Sequence, residues 1–219
     1  MAIKKSTITK EKIVSMYMNY TLENNEKPKS VYQFAKLNNF LEAEFYNFFG
    51  TMESVEKEIF KIFIEKTVAL LQKDQNYETY DMQSKMLSFY FTFFELLSAN
   101  RSYVIMTLTQ HQNELKNLVQ LSGLRNSFKN YVAEIISDEY RIKQEKFQNL
   151  QEKAIQETSW IQLLLTLKFW MEDSSPAFEK TDLFIEKSVK VTFELMNMAP
   201  IESLIDFGKF LFKEKVYKK

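Results

Sequence analysis

Apolar residues recur along this chain at steps of three and four, the spacing that places side chains on one face of an α-helix. Thr9 is an N-cap residue type and opens the first such stretch, which runs to about Leu22 with Ile13, Met16, Tyr17 and Tyr20 facing inward. The polar run Glu23 to Lys29, with Pro28, reads as a loop. Ser30 then stands where a cap belongs, before a short helix over Val31 to Leu37. Asn38-Asn39 makes a turn, and a second short helix is expected from Glu42 to Phe48. Gly50 and Thr51 reset the chain. Thr51 caps a long helix to about Gln72, with Val55, Ile59, Ile62, Phe63 and Leu70 at helical spacing.

Beyond a polar segment, Lys73 to Thr79, the spacing predicts helices over Asp81 to Ser98, rich in rings, and over Arg101 to Leu121, stopping near Gly123. Leu124 to Gln156 reads as one long helix with a charged second half. Ser159 and Gln162 stand three apart, the spacing of a capping box, and predict a helix start for the apolar run Trp160 to Met171. Ser175-Pro176 predicts a helix over Ala177 to Met196, and Pro200 one to about Lys215. The chain has only three Gly and three Pro, so it offers few turn signals for a β protein. The expected class is all-α: an N-terminal three-helix helix-turn-helix domain, residues 1–52, and a larger C-terminal helical bundle, residues 53–219.

Composition narrows the chemistry. The 219 residues carry 29 Lys plus Arg against 29 Asp plus Glu, so net charge gives no general basic excess for nucleic acid. There is no Cys, which excludes disulfides and thiolate metal sites and suits a reducing compartment. The N-terminus lacks the apolar core of a signal peptide, and no apolar run reaches the roughly 18 residues of a membrane span; a cytoplasmic protein is expected. No phosphate-binding Gly loop, catalytic triad or His-rich cluster is present, so neither an enzyme nor a bound metal or cofactor is expected. His111 is the one histidine and lies in a polar patch, Thr109 to Asn113.

The order Ser30, Phe34-Ala35, Phe40, Phe45-Tyr46, Phe49, Thr51, Glu53 and Val55 resembles the DNA-binding domain of the TetR family of bacterial repressors. The resemblance implies that the second short helix reads DNA, with Lys29, Ser30, Tyr32, Lys36, Glu42, Glu44, Tyr46 and Asn47 at the interface and Lys27 as a further candidate phosphate contact. It also implies a homodimer and an effector pocket in the body for a hydrophobic ligand, with Phe91, Phe94, Met106, His111 and Trp170 as candidate lining residues. Against the family pattern, the turn Gly is Asn39, the capping Ser is Leu41, the usual Thr or Ser is Glu44, and the phosphate-binding Lys before the linker helix is Met52. A carboxylate at about 4 Å from a phosphate costs roughly 1 kcal/mol in water and about 4 at a surface-like dielectric. Glu can instead accept from cytosine N4 in the major groove. Tyr46 and Phe49 have packing as their plain alternative role.

Two late features bear on partners. Trp160 to Met171 is apolar on nearly all faces, so it either lies at the centre of the body or meets a second copy; with Ala177 to Met196 it is the candidate dimer seam. Ile201, Leu204, Ile205, Leu211 and Phe212 make the last helix amphipathic, with Lys209, Lys213, Lys215, Lys218 and Lys219 at its basic end. It packs on the body or touches an anionic membrane surface through residues 201–219. It is similar to an offshoot of the same family, in ubiquinone biosynthesis, that lost DNA binding. The leading expectation is therefore a ligand-responsive transcriptional regulator. The alternatives are a lipid- or hydrophobic-ligand-binding protein of that fold that no longer binds DNA, and a plain dimeric scaffold.

Overall fold

The computed structural model describes residues 8–110, 119–136 and 145–198. Among these there are nine α-helices and no strand: α1 Lys10–Asn24, α2 Val31–Leu37, α3 Glu42–Tyr46, α4 Met52–Leu71, α5 Met82–Ser98, α6 Arg101–Leu108, α7 Ser122–Ile135, α8 Glu145–Glu172 and α9 Glu179–Met198. His111 and the expected helix over 201–215 lie outside the described residues. No described helix is long and apolar enough to cross a membrane.

The caps explain most of the starts. The Thr9 side chain accepts from Lys12 N–H, Ser30 from Gln33 N–H at 3.1 Å, Thr51 from Ser54 N–H at 3.2 Å and Asp81 from Ser84 N–H at 2.7 Å. α1 ends on Asn25 in the left-handed region, φ 53°.

Several boundaries differ from the sequence reading. The helix opening at Arg101 ends at Leu108, where the Thr109 hydroxyl bonds back to Ile105. The expected single helix over 124–156 is two, α7 and α8. Ser159 starts nothing: it is buried within α8, because no Gly or Pro between 145 and 172 interrupts the helix that precedes it. Pro176 begins only a 3-10 turn, Pro176–Phe178, since Ala177 and Phe178 take positive φ of 52° and 61°; α9 starts at Glu179. α3 stops at Tyr46 rather than Phe48.

The chain divides into two compact units, each discontinuous in sequence: Met1–Thr67 with Phe93–Ser127, and Val68–Thr92 with Phe128–Lys219. In the first, the ring of Phe34 meets Tyr17, Phe40 and Phe45 edge-on at 6.2, 5.8 and 6.4 Å. Ile13, Phe34 and Phe45 are fully buried and Phe49 nearly so, so the opening helices share one interior. In the second unit Phe89 lies against Tyr131 at 4.7 Å and Phe128 at 5.1 Å, and the Tyr77 and Tyr131 hydroxyls meet at 2.7 Å. There α8 and α9 pack together, with the rings of Phe169 and Phe184 stacked at 4.6 Å.

Candidate functional site

The helix-turn-helix is built from short-range chemistry. α2 and α3 pack on each other through Phe34 and Phe45. Between them Asn39 takes φ 57°, the left-handed conformation that a turn glycine would otherwise supply. Phe45 faces the core, so residues on the opposite side of α3 point outward. Tyr46 is 53% exposed and Asn47 is exposed, which places both away from the core; Phe49 is buried and packs at 5.8 Å from Phe45.

Leu41 has no side-chain acceptor, so α3 lacks the usual N-cap bond. The Glu44 carboxylate supplies the reverse half of a capping box, accepting from the Leu41 N–H at 2.7 Å. Glu42 accepts from the Tyr46 hydroxyl at 3.2 Å. Partial desolvation, then this carboxylate, holds the Tyr46 phenol above its usual range. Both acids are thus already engaged within the helix. Lys29, Ser30, Tyr32 and Lys36 are exposed on or beside α2, with the Lys36 ammonium 6.0 Å from the Tyr32 ring centre. Met52, where the resemblance expects a phosphate-binding Lys, is buried in the core.

Sequence reading missed the polar centre beneath this module. Glu56 on α4 is only 3% exposed. Its two carboxylate oxygens lie 2.6 and 2.8 Å from the Lys27 ammonium, and it accepts a hydrogen bond from the Tyr17 hydroxyl. Burial, then the Glu56 charge, pushes the Tyr17 phenol far above the ordinary range. Lys27, expected from the sequence as a candidate phosphate contact, is instead paired with this buried carboxylate. The available signal was positional: Glu56 stands one, three and four residues from the inward Val55, Ile59 and Phe60.

The body candidates separate. Trp170 is fully buried with its ring 6.2 Å from Phe178, and Phe94 is buried with its ring 5.6 Å from Phe93. Phe91 and Met106 are half-buried. Phe94 and Met106 belong to the first unit, Phe91 and Trp170 to the second. Among the described residues no group of three or more His, Asp or Glu side chains could hold a metal ion.

In the second unit, α8 buries Trp160, Leu163, Leu167 and Trp170 while leaving Ile161 and Leu165 exposed; α9 leaves Leu183, Val191 and Leu195 exposed. Just before α9, the Asp173 carboxylate accepts from Ser175 N–H and hydroxyl at 2.8 and 2.7 Å, and from Thr181 N–H and hydroxyl at 2.9 and 2.7 Å. Desolvation alone would raise its pKa; these four bonds outweigh that and hold the carboxyl well below its usual range.

Residues 85–211 match the family model described as the tetracyclin repressor-like C-terminal domain. Comparison with curated proteins gives no match.

Proposed function

The chain belongs to the tetracyclin repressor-like family of regulators, and on that premise we propose that it is a ligand-responsive transcriptional regulator that binds operator DNA as a homodimer in the cytoplasm. The observation that carries this is the helix-turn-helix itself: a ring-packed core around Phe34 holds α3 with Tyr46 and Asn47 outward. In this reading α3 enters the major groove while Lys29, Ser30, Tyr32 and Lys36 hold backbone phosphates. Two copies engage half-sites about 34–36 Å apart. The exposed Ile161 and Leu165 of α8, with Leu183, Val191 and Leu195 of α9, form the seam between copies, since apolar side chains in two packed helices gain most by mutual burial. A hydrophobic ligand held in the body releases DNA only by binding one spacing of the two readers better than the other. Among the described candidates, Phe91 in the second unit and Met106 in the first are each, within its own unit, a lining candidate whose side chain is not already fully buried.

Fluorescence anisotropy against the promoter region of its own gene, at low and moderate salt, tests the DNA step. Site-specific binding that weakens with salt is expected; absence of binding even at low salt refutes it. For the seam, Leu165→Lys is expected to shift the protein from dimer to monomer in light scattering coupled to size exclusion.

A second reading is favoured by Glu42 and Glu44 on α3 and by the buried Met52: a protein of this fold that no longer reads DNA and carries a lipid-like molecule. Mass spectrometry of organic extracts of the purified protein would then show a co-purified lipid. Flotation with liposomes would depend on residues 201–219.

A further inference from the structure

The side chains that α3 turns outward have an unusual chemistry for a DNA reader. No Lys, Arg or His occurs from residue 37 to residue 56, so the bidentate contacts that select guanine have no donor on this helix. Glu42 and Glu44, the residues able to accept from cytosine, are bonded to Tyr46 and to the Leu41 N–H. Besides Phe48 beyond its end, what remains exposed is Leu41, 57% accessible, just before α3, then Ala43, Tyr46 and Asn47. The last three lie at i, i+3 and i+4, hence on one face, opposite the buried Phe45.

In the major groove the only apolar group that a base pair presents is the thymine methyl, and the base edge that an Asn amide matches is that of adenine, N6 and N7. One apolar surface beside one amide is therefore best matched to A·T pairs: a G·C pair has no methyl for the apolar surface and takes only a single bond from the amide in place of the two that adenine makes. We propose that this helix is an A·T reader: Asn47 pairs with adenine, and Leu41, Ala43 and the Tyr46 ring pack on thymine methyls. The inference rests on the DNA-binding reading above and gives its specificity.

The test uses the full-length protein and duplexes selected by it from a random pool. The best site is then made twice, once with thymine and once with deoxyuridine in both strands, which removes the methyls and leaves base pairing and phosphates in place. Anisotropy titration should show a loss of about fourfold per contacted methyl, the equivalent of roughly 0.8 kcal/mol for one buried carbon. The salt dependence should not change, because phosphate contacts are untouched. Asn47→Ala, at an exposed position and with helicity checked by circular dichroism, should cut discrimination for adenine at one position by about fivefold or more. Selected sites rich in G·C, or equal affinity for the thymine and uracil duplexes, overturn the inference while leaving DNA binding intact. Failure to retain any duplex at low salt overturns the DNA reading and this inference with it.

Discussion

Removing the Glu56 carboxylate is expected to destabilise the first unit more than any surface change there. The group is buried, paired with Lys27 at 2.6 Å, and receives the Tyr17 hydroxyl. Glu56→Ala leaves that phenol without its acceptor and deprives a half-exposed ammonium of its partner. Breaking a buried pair costs about 3–5 kcal/mol; because Lys27 reaches solvent, the lower end is expected. Tyr17→Phe removes one hydrogen bond to a charged group, about 1.5–3 kcal/mol. Glu56→Gln keeps an acceptor and loses the charge, about 1–2 kcal/mol. For a chain of this size 1 kcal/mol shifts Tm by about 2–4 °C, so Glu56→Ala should melt roughly 6–12 °C early.

The assay follows from where the reporters sit. Both tryptophans, Trp160 and Trp170, belong to the second unit, so far-UV circular dichroism should register the loss ahead of tryptophan emission. The double-mutant cycle Tyr17→Phe with Glu56→Ala should show a coupling of about 1–3 kcal/mol. The Tyr17 pKa is raised on folding, so this contribution is complete below about pH 10, the unfolded value, and is lost only as pH rises beyond it. Additive effects, or losses within about 0.5 kcal/mol of wild type for both single changes, would refute the idea that Glu56 binds α1 and the following loop to α4.

Other expectations are more local. A Cβ on Gly123 would come within 2.8 Å of the Lys57 carbonyl oxygen; Gly123→Ala should therefore lower stability by about 1–3 kcal/mol despite the better helix propensity of Ala, read as a lower Tm. Asp173→Ala removes the acceptor of four hydrogen bonds at the start of α9 and should cost about 1–2 kcal/mol at neutral pH in urea titration. Its folded pKa is depressed, so the difference from wild type should be full above about pH 5 and shrink as pH falls through the acid range. Ala177 has φ 52°, a conformation costing an L-residue about 1–2 kcal/mol; Ala177→Gly should raise Tm by a few degrees, after allowance for the added freedom of the unfolded chain.

Much of the fold could be read from the residues because its signals were local. Thr9, Ser30 and Thr51 cap as their side chains suggest, and Asn39 takes the left-handed turn. The interior shared by Ile13, Phe34, Phe45 and Phe49 followed from apolar spacing. What failed depended on long-range context. The breaks at Leu108 and Ile136 carry no Gly or Pro, so the apolar rhythm ran straight through them. Ser159 and Gln162 had the right spacing for a helix start, yet an uninterrupted helix upstream left no backbone N–H groups in need of a cap. At the helix-turn-helix, the sequence left Tyr46 open between packing and outward roles, which burial decides as outward, and the engagement of Glu42 and Glu44 was not legible, because a carboxylate's partners are set by a neighbouring turn rather than by its own position.

The bond between Glu44 and the Leu41 amide changes how divergence from the repressor pattern should be counted. A missing serine and an added acid look like two unrelated losses when positions are tallied one by one. The second does not restore the bond that a serine hydroxyl would accept from an N–H inside α3, but it ties the same helix end from the opposite direction, through the N–H of Leu41. Counting columns independently records two losses at a helix end that one of the two exchanges still holds together.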